Sequence, residues 1–261
     1  MFNRLPEPDT TPLGNSPLGL VLCTLAIDEE RPLKSRDATQ WQRRLAEAYS
    51  AGSLNRVIQQ TVNLRMGPLG AQATGQPEMQ EGWRLVRRDG AGYAEMFAGS
   101  CTVAATRFPG FVVFREQLRA VWAVYADILD PQVRSRLSIQ YFNALSEEGA
   151  TSATYWETRV HERFLGLAAD ERFADMLTNE MGIVDFQGER FSCRLRHAIQ
   201  ADAAIAGNIA YVFDIEVKDE APVDLDMAAS LEEVEQMNRG ALQMFQAVLT
   251  ENYLRERRAD V

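Results

Sequence analysis

Apolar residues run without interruption from Leu18 to Ile27, a stretch short enough for a strand buried on both faces. After the Pro32 break, Asp37 can cap a helix, because its carboxylate accepts from the free amides of a first turn. Trp41, Leu45, Ala48 and Tyr49 then recur at helical spacing, which predicts a helix to about Gln60. Residues 64–81 have no period and several breakers. They read as either a mobile binding loop or a tolerated insertion. Three strand-like runs follow, Trp83 to Arg88, Tyr93 to Ala98 and Cys101 to Phe108. The turn at Asp89–Gly92 suits a hairpin, since glycine accepts positive φ. Phe111, Phe114, Leu118, Val121, Trp122, Tyr125, Ile128 and Leu129 form one helical stripe, stopped at Asp130-Pro131.

The pattern then restarts. Arg136 to Leu145 reads as a strand. Tyr155 to about Gly182 reads as helical, broken near Ala169-Asp170, with Trp156, Val160, Phe164, Leu167, Phe173, Met176 and Leu177 facing inward. Ile183–Phe186, Glu189–Ile199 and Asn208–Lys218 read as strands. A last helix opens at Ser230-Leu231-Glu232-Glu233, the pattern of a capping box. Leu231, Val234, Ala241, Leu242, Phe245, Val248, Leu249 and Tyr253 give it a buried stripe.

The order of elements is β-α-βββ-α, twice. The first strands start near 18 and 136, and the long second helices near 111 and 230, a near-constant offset. The expected fold is therefore α+β: one antiparallel sheet from two β-α-βββ-α halves, with the helices packed on one face. Residues 1–16 are expected to be a flexible arm, and 17–261 a single domain made of pseudo-repeats 17–131 and 132–258. In topology this resembles the duplicated TATA-box-binding-protein-like fold. Fold alone carries no function.

A sheet covered on one side should alternate apolar and polar positions. Phe191, Cys193, Leu195 and His197 share one parity, and Arg190, Ser192, Arg194 and Arg196 the other. Arg136, Ser138 and Gln140 oppose Leu137, Ile139 and Tyr141. Asp214 and Glu216 oppose Phe213, Ile215 and Val217, with a parity slip that calls for a bulge or a different register. Arg84 and Arg88 share a face. The open face thus collects Arg84, Arg88, Arg136, Gln140, Arg190, Arg194, Arg196, Asp214 and Glu216. This set is either a solvated ladder of cross-strand ion pairs or a recognition surface for an anionic partner.

Composition narrows the partner. The 261 residues are 46% hydrophobic and 25% charged, which allows a packed core. The net charge of -10 argues against a non-specific nucleic-acid binder. Lys34 and Lys218 are the only lysines; arginine, the other cation, favours carboxylates and phosphates. No apolar run reaches the roughly 18 residues of a membrane span, and the first sixteen residues lack a signal-peptide core, so a cytoplasmic location is expected.

Candidate catalytic chemistry is sparse. Cys23, Cys101 and Cys193 are too scattered for a disulfide framework or a zinc site. Cys193 and His197 lie four apart on one strand face, which separates their α-carbons by ~13 Å, too far for a thiolate–imidazolium dyad. His161 follows Glu157 by one helical turn and suits a solvated pair. Gly14-Asn15-Ser16-Pro17 is no nucleophile elbow, and no Walker loop or G-x-G-x-x-G occurs. Asp219, Glu220, Asp224 and Asp226 lack the glycine and bidentate glutamate of a calcium loop and read as solvated charge. Asp214 and Glu216 could do acid–base work, but facing arginines they read as ion-paired. No enzyme activity, catalytic residue, metal or cofactor is expected.

Three short segments carry a family resemblance: Ser16-Pro17-Leu18-Gly19-Leu20-Val21, Arg136-Leu-Ser-Ile-Gln140-Tyr-Phe-Asn143 and Phe213-Asp-Ile-Glu-Val217. They resemble the P-L-x-x-V, R-x-x-x-R-Y-x-N and x-D-I-x-V landmarks of a sporadically distributed prokaryotic family of uncharacterised proteins of about this length. Gln140 stands where that family has its second arginine. The resemblance brings no activity, cofactor or catalytic residue. Its patchy distribution implies mobile-element or defence-associated genes.

The leading expectation is a non-enzymatic binding protein, such as an antitoxin or defence-associated accessory factor, that engages a protein partner through the open face and the 64–81 segment. The alternatives are a nucleic-acid-binding module, disfavoured by the net charge, and an enzyme acting on a small anionic substrate in a deep pocket at Asp214 and Glu216. Homo-oligomer formation is left open.

Overall fold

The computed structural model describes residues 4–28, 32–50, 54–61, 64–67, 70–73, 78–174 and 176–259. The chain runs β1 (Leu18–Ile27), α1 (Ser35–Arg44), β2 (Asn55–Thr61), β3 (Leu64–Gly67), β4 (Gly70–Ala73), β5 (Glu78–Val86), β6 (Gly92–Met96), β7 (Ser100–Ala105) and α2 (Phe111–Leu129). It continues with β8 (Val133–Leu145), α3 (Glu171–Ala174), β9 (Glu180–Gln187), β10 (Ser192–Ala201), β11 (Ile209–Asp219), β12 (Val223–Asp224), α4 (Met227–Val248) and α5 (Glu251–Ala259). Ten strands make one antiparallel sheet in the order β2-β5-β6-β7-β1-β8-β11-β10-β9, with β12 pairing onto β8. The fold is α+β.

The alternation expected of a half-covered sheet is present. Val21, Cys23, Leu25 and Ile27 of β1, Leu137 and Ile139 of β8, Leu195 of β10, and Ile215 and Val217 of β11 are buried. They meet Phe114, Leu118, Trp122 and Tyr125 of α2 and Val234, Met237, Ala241 and Met244 of α4. Helix α4 lies on β8 and β11, α2 on β7, and α1 packs against α2. Tyr141 donates a 2.5 Å hydrogen bond to Asn238 of α4, tying the helix layer to the sheet. Among the described residues no helix is long and apolar enough to cross a membrane.

Several sequence expectations need correction. The first helix ends at Arg44, not Gln60; β-branched Val57 and Ile58 belong instead to β2, paired along β5 from Asn55↔Arg84 to Thr61↔Glu78. Asp37 is not the residue before the helix. It reaches back to the Lys34 amide at 3.0 Å from the third helical position. Part of the 64–81 segment is a hairpin, β3 paired with β4 from Leu64↔Ala73 to Gly67↔Gly70; residues 68, 69 and 74–77 lie outside the described residues.

The long helix expected over 155–182 is absent. Ala153–Thr158, Glu162–Phe164 and Gly166–Ala169 form short 3-10 turns, α3 is four residues long, and β9 starts at Glu180. Gly166 at φ +54 and the breaks between turns replace a continuous helical ladder. Trp156, Val160 and Phe164 are buried as expected, but Leu167, Phe173 and Met176 are exposed. His161 lies just before one of these turns, so no α-helix sets it one turn beyond Glu157.

Helix α4 begins at Met227, capped by Asp226, which accepts from the amides of Ala228 and Ala229 at 2.8 and 3.1 Å. Ser230 and Glu233 are therefore buried helix residues and form no capping box. Strand β11 pairs with β10 in unbroken register from Ser192↔Lys218 to Ala201↔Ile209, so no bulge occurs there.

Candidate functional site: the uncovered face of the sheet

On the side away from the helices, cross-strand register builds rows of mostly polar side chains. One row runs Arg84, Glu95, Thr102, Thr24, Ser138, Lys218 across β5, β6, β7, β1, β8 and β11. The next runs Leu22, Gln140, Glu216, Arg194, Asp185, and a third Phe142, Asp214, Arg196, Ile183. Opposite charges sit side by side in each row. Antiparallel neighbours share a face at a spacing where such pairs attract.

The pairs are made. Arg84 meets Glu95 at 2.5 Å and lies 4.3 Å over the Tyr93 ring. Arg194 grips Asp185 with two bonds of 2.7 and 3.1 Å. Arg196 chelates Asp214 at 2.8–3.0 Å and comes within 3.6 Å of Glu216. Gln140 donates to Asp214 at 2.9 Å. Lys218 pairs with Glu220 at 2.5 Å, and the Thr24 and Thr102 hydroxyls bond at 2.7 Å. The hydrogen bonds from Arg194 hold the Asp185 carboxyl below its ordinary range.

Six of the nine candidate residues therefore lie on the uncovered face: Gln140, Arg194, Arg196, Asp214 and Glu216 together on β8, β11 and β10, and Arg84 apart from them on β5. Arg136 sits at the end of the same face, opposite Ala26, in a cleft of about 390 Å³ also lined by Gln59, Gln80, Ser100, Ser135 and Glu220. Two candidates lie elsewhere. Arg88 follows β5 in a turn and donates to the Ala46 carbonyl at 2.6 and 3.0 Å. Arg190 precedes β10, off the strand, and crosses to the helix side to bind Glu233 of α4. Strand parity does not govern a residue outside the ladder.

The sequence reading missed Arg134. A register shift between Ala26 and Ile27 leaves Ala26 opposite Arg136 but Ile27 opposite Arg134. That irregularity turns Arg134 inward, where it is 1% exposed. It lies 3.3 Å from Asp219 and 2.8 Å from Glu233. Asp219 is thus buried, not solvated linker charge. Its position after Phe213, Ile215 and Val217 on the inward parity was a legible signal; nothing in the sequence marks the register shift.

Nucleophile chemistry finds little support. Burial pushes the Cys193 thiol up to about 12, and raises Cys23 and Cys101 as well, which leaves these thiols protonated near neutral pH. His197 is held below its ordinary value by burial and packs at 6.2 Å from Phe164 and 6.1 Å from Tyr211. Among the described residues no group of His, Cys, Asp or Glu is placed to hold a metal ion.

Neither a family model nor a curated protein matches the chain. Among solved structures, the S. pombe Pct1 RNA triphosphatase in complex with the Spt5 CTD aligns over 96% of this chain and 83% of that chain, at 8% identity and a TM-score of 0.18. A likeness at that level carries no argument about fold or activity.

Proposed function

We propose that the protein is a non-enzymatic interaction module that presents the uncovered sheet face to a protein partner. The observation that carries this reading is the pairing of charges there. Arg84, Arg194, Arg196 and Lys218 stand against Glu95, Asp185, Asp214, Glu216 and Glu220, with Arg136 at the margin. A face of balanced charge, interspersed with half-buried Leu20, Leu22 and Phe142, complements a folded polypeptide carrying both signs. A polyanion would need net positive potential. The cytoplasmic setting and the role beside a cognate effector remain part of this proposal.

The sheet order supports a duplicated architecture as well. Around the β1–β8 pair, β7-β6-β5 on one side mirrors β11-β10-β9 on the other, and each set is followed by a long helix, α2 or α4. We read the halves as copies of one unit, the second of which has lost its first helix to 3-10 turns.

The test is affinity purification from the native host with Leu22→Arg combined with Gln140→Arg. These residues are directly paired at the centre of the face. The expected result is loss of the co-purifying protein with a melting temperature shifted by only a few degrees, while Arg119→Glu on the outer side of α2 keeps it. Unchanged capture by the double variant overturns the reading. Capture of nucleic acid that falls steeply with salt supports the competing module instead.

A further inference from the structure

On the opposite side of the molecule, the outer face of α4 is covered by the chain's own N-terminal residues. Of the arm expected over residues 1–16, the described residues from 4 onward meet α4 and α5. Arg239, Gln243 and Gln246 are spaced i, i+4, i+7 on the outer face of α4, away from the buried stripe of Val234, Met237, Ala241 and Met244. Gln246 treats Asp9 as a neighbouring strand would: its carbonyl accepts from the Asp9 amide at 3.0 Å and its amide donates to the Asp9 carbonyl at 2.6 Å. Gln243 donates to the Pro6 carbonyl at 3.1 Å. Arg239 pairs with Glu7, and Arg258 with Asp9 at 3.1 Å. The Gly14 amide closes the far end on the Arg257 carbonyl at 2.8 Å.

These contacts read the backbone of a proline-rich segment, Leu5-Pro6-Glu7-Pro8-Asp9. Proline has no N–H and a polyproline-like chain makes no internal hydrogen bonds, so its carbonyls are free to be read by side-chain donors. The basic residues select for acid beside the prolines. A cleft of about 480 Å³ adjoins the arm, lined among others by Leu5, Leu249, Leu254 and Arg258, so the groove has room that the arm leaves open. Arg258 also keeps its Nε buried without an acceptor among the described residues.

We infer that the α4–α5 groove is a docking site for proline-rich acidic peptides of the Leu-Pro-x-Pro-Asp type, held in cis by the chain's own Leu5–Asp9 and open to an equivalent segment in trans. A tethered segment competes at an effective concentration on the order of millimolar, so the wild-type groove is masked.

The experiment uses the full chain and a synthetic peptide of residues 4–14. In Glu7→Lys/Asp9→Lys the tethered arm loses both acidic anchors while the groove is untouched. The expected result is peptide binding at least roughly tenfold tighter than to the wild type, lost again when Gln246→Ala is added. The Gln246 side-chain amide resonances should shift on releasing the arm and return with peptide. A released chain that binds no better than wild type overturns the inference, as does binding that survives Gln246→Ala; a thermal melt confirms that each variant is folded. Failure here leaves the sheet-face proposal untouched, because the two surfaces share no residue.

Discussion

Arginines on the two sides of this sheet make similar pairs in different solvents. Arg134 lies under the helices with 1% exposure, between Asp219 and Glu233, whose side chains are 7% and 9% exposed. Arg190 reaches the same Glu233 from the surface. On the uncovered side, Arg194 and Arg196 hold Asp185 and Asp214 with better geometry, yet are 38% and 34% exposed. Water screens the second set and not the first. Arg134 and Asp219 have surrendered hydration and depend on the cluster, so removing Arg134 strands Asp219. The exposed ions can fall back on solvent. The contrast separates a structural charge cluster, intolerant of change, from a solvated surface set free to vary.

The largest expected effect comes from breaking the buried set. Arg134→Ala should destabilise by about 3–5 kcal/mol, read as a lower midpoint in urea, because buried Asp219 loses its cation and Glu233 keeps only Arg190. A loss below about 1 kcal/mol would place this cluster in the same screened regime as the exposed one. Arg196→Ala should sit between the extremes, at about 1 kcal/mol, since Asp214 keeps its bond from Gln140.

Arg194→Ala should be smallest, within about 0.5–1 kcal/mol, and should shrink with added salt. It also carries a pH signature. Asp185 has a folded-state pKa lowered from its ordinary 3.8 by Arg194. Its contribution is therefore whole above that ordinary value and is lost as acid drives pH down through the lower folded value. The gap between wild type and Arg194→Ala should be constant near neutral pH and close below about pH 4. A gap that widens in acid would assign Arg194 a different partner.

The sheet was more legible in the sequence than the segments that decorate it. Period-two alternation in β8, β10 and β11 placed Leu137, Leu195 and Ile215 inward and Gln140, Arg194, Arg196 and Asp214 outward, because a residue in a ladder has only two directions to point. The stripe in α2 was equally clear. What failed was local geometry that tertiary pairing decides. Val57 and Ile58 followed a helical run but pair with β5. Trp156, Val160 and Phe164 fit a helix, yet Trp156 and Phe164 reach the core from separate 3-10 turns and Val160 from an isolated bridge to Leu249 between them. Glu233 suited a capping box three residues after Ser230, but its carboxylate serves two arginines instead. At the face itself, pairing could be anticipated from charge order; the inward turn of Arg134 needed a register shift that leaves no mark in composition.

The β1–β8 seam has a kinetic consequence. Leu25 lies beside Leu137 and Cys23 beside Ile139, so the middle of the sheet joins segments separated by the whole first half of the chain. The hairpins β6–β7 and β10–β11 close between near neighbours, whereas this seam must wait for a long loop to be ordered, the feature that slows folding of strand-rich topologies. During synthesis, a nascent chain that has emerged only as far as Leu129 lacks β8, so the edge of β1 that β8 covers has no strand to pair with. That edge is the apolar run Leu18–Ile27, the segment most in need of shelter until β8 arrives.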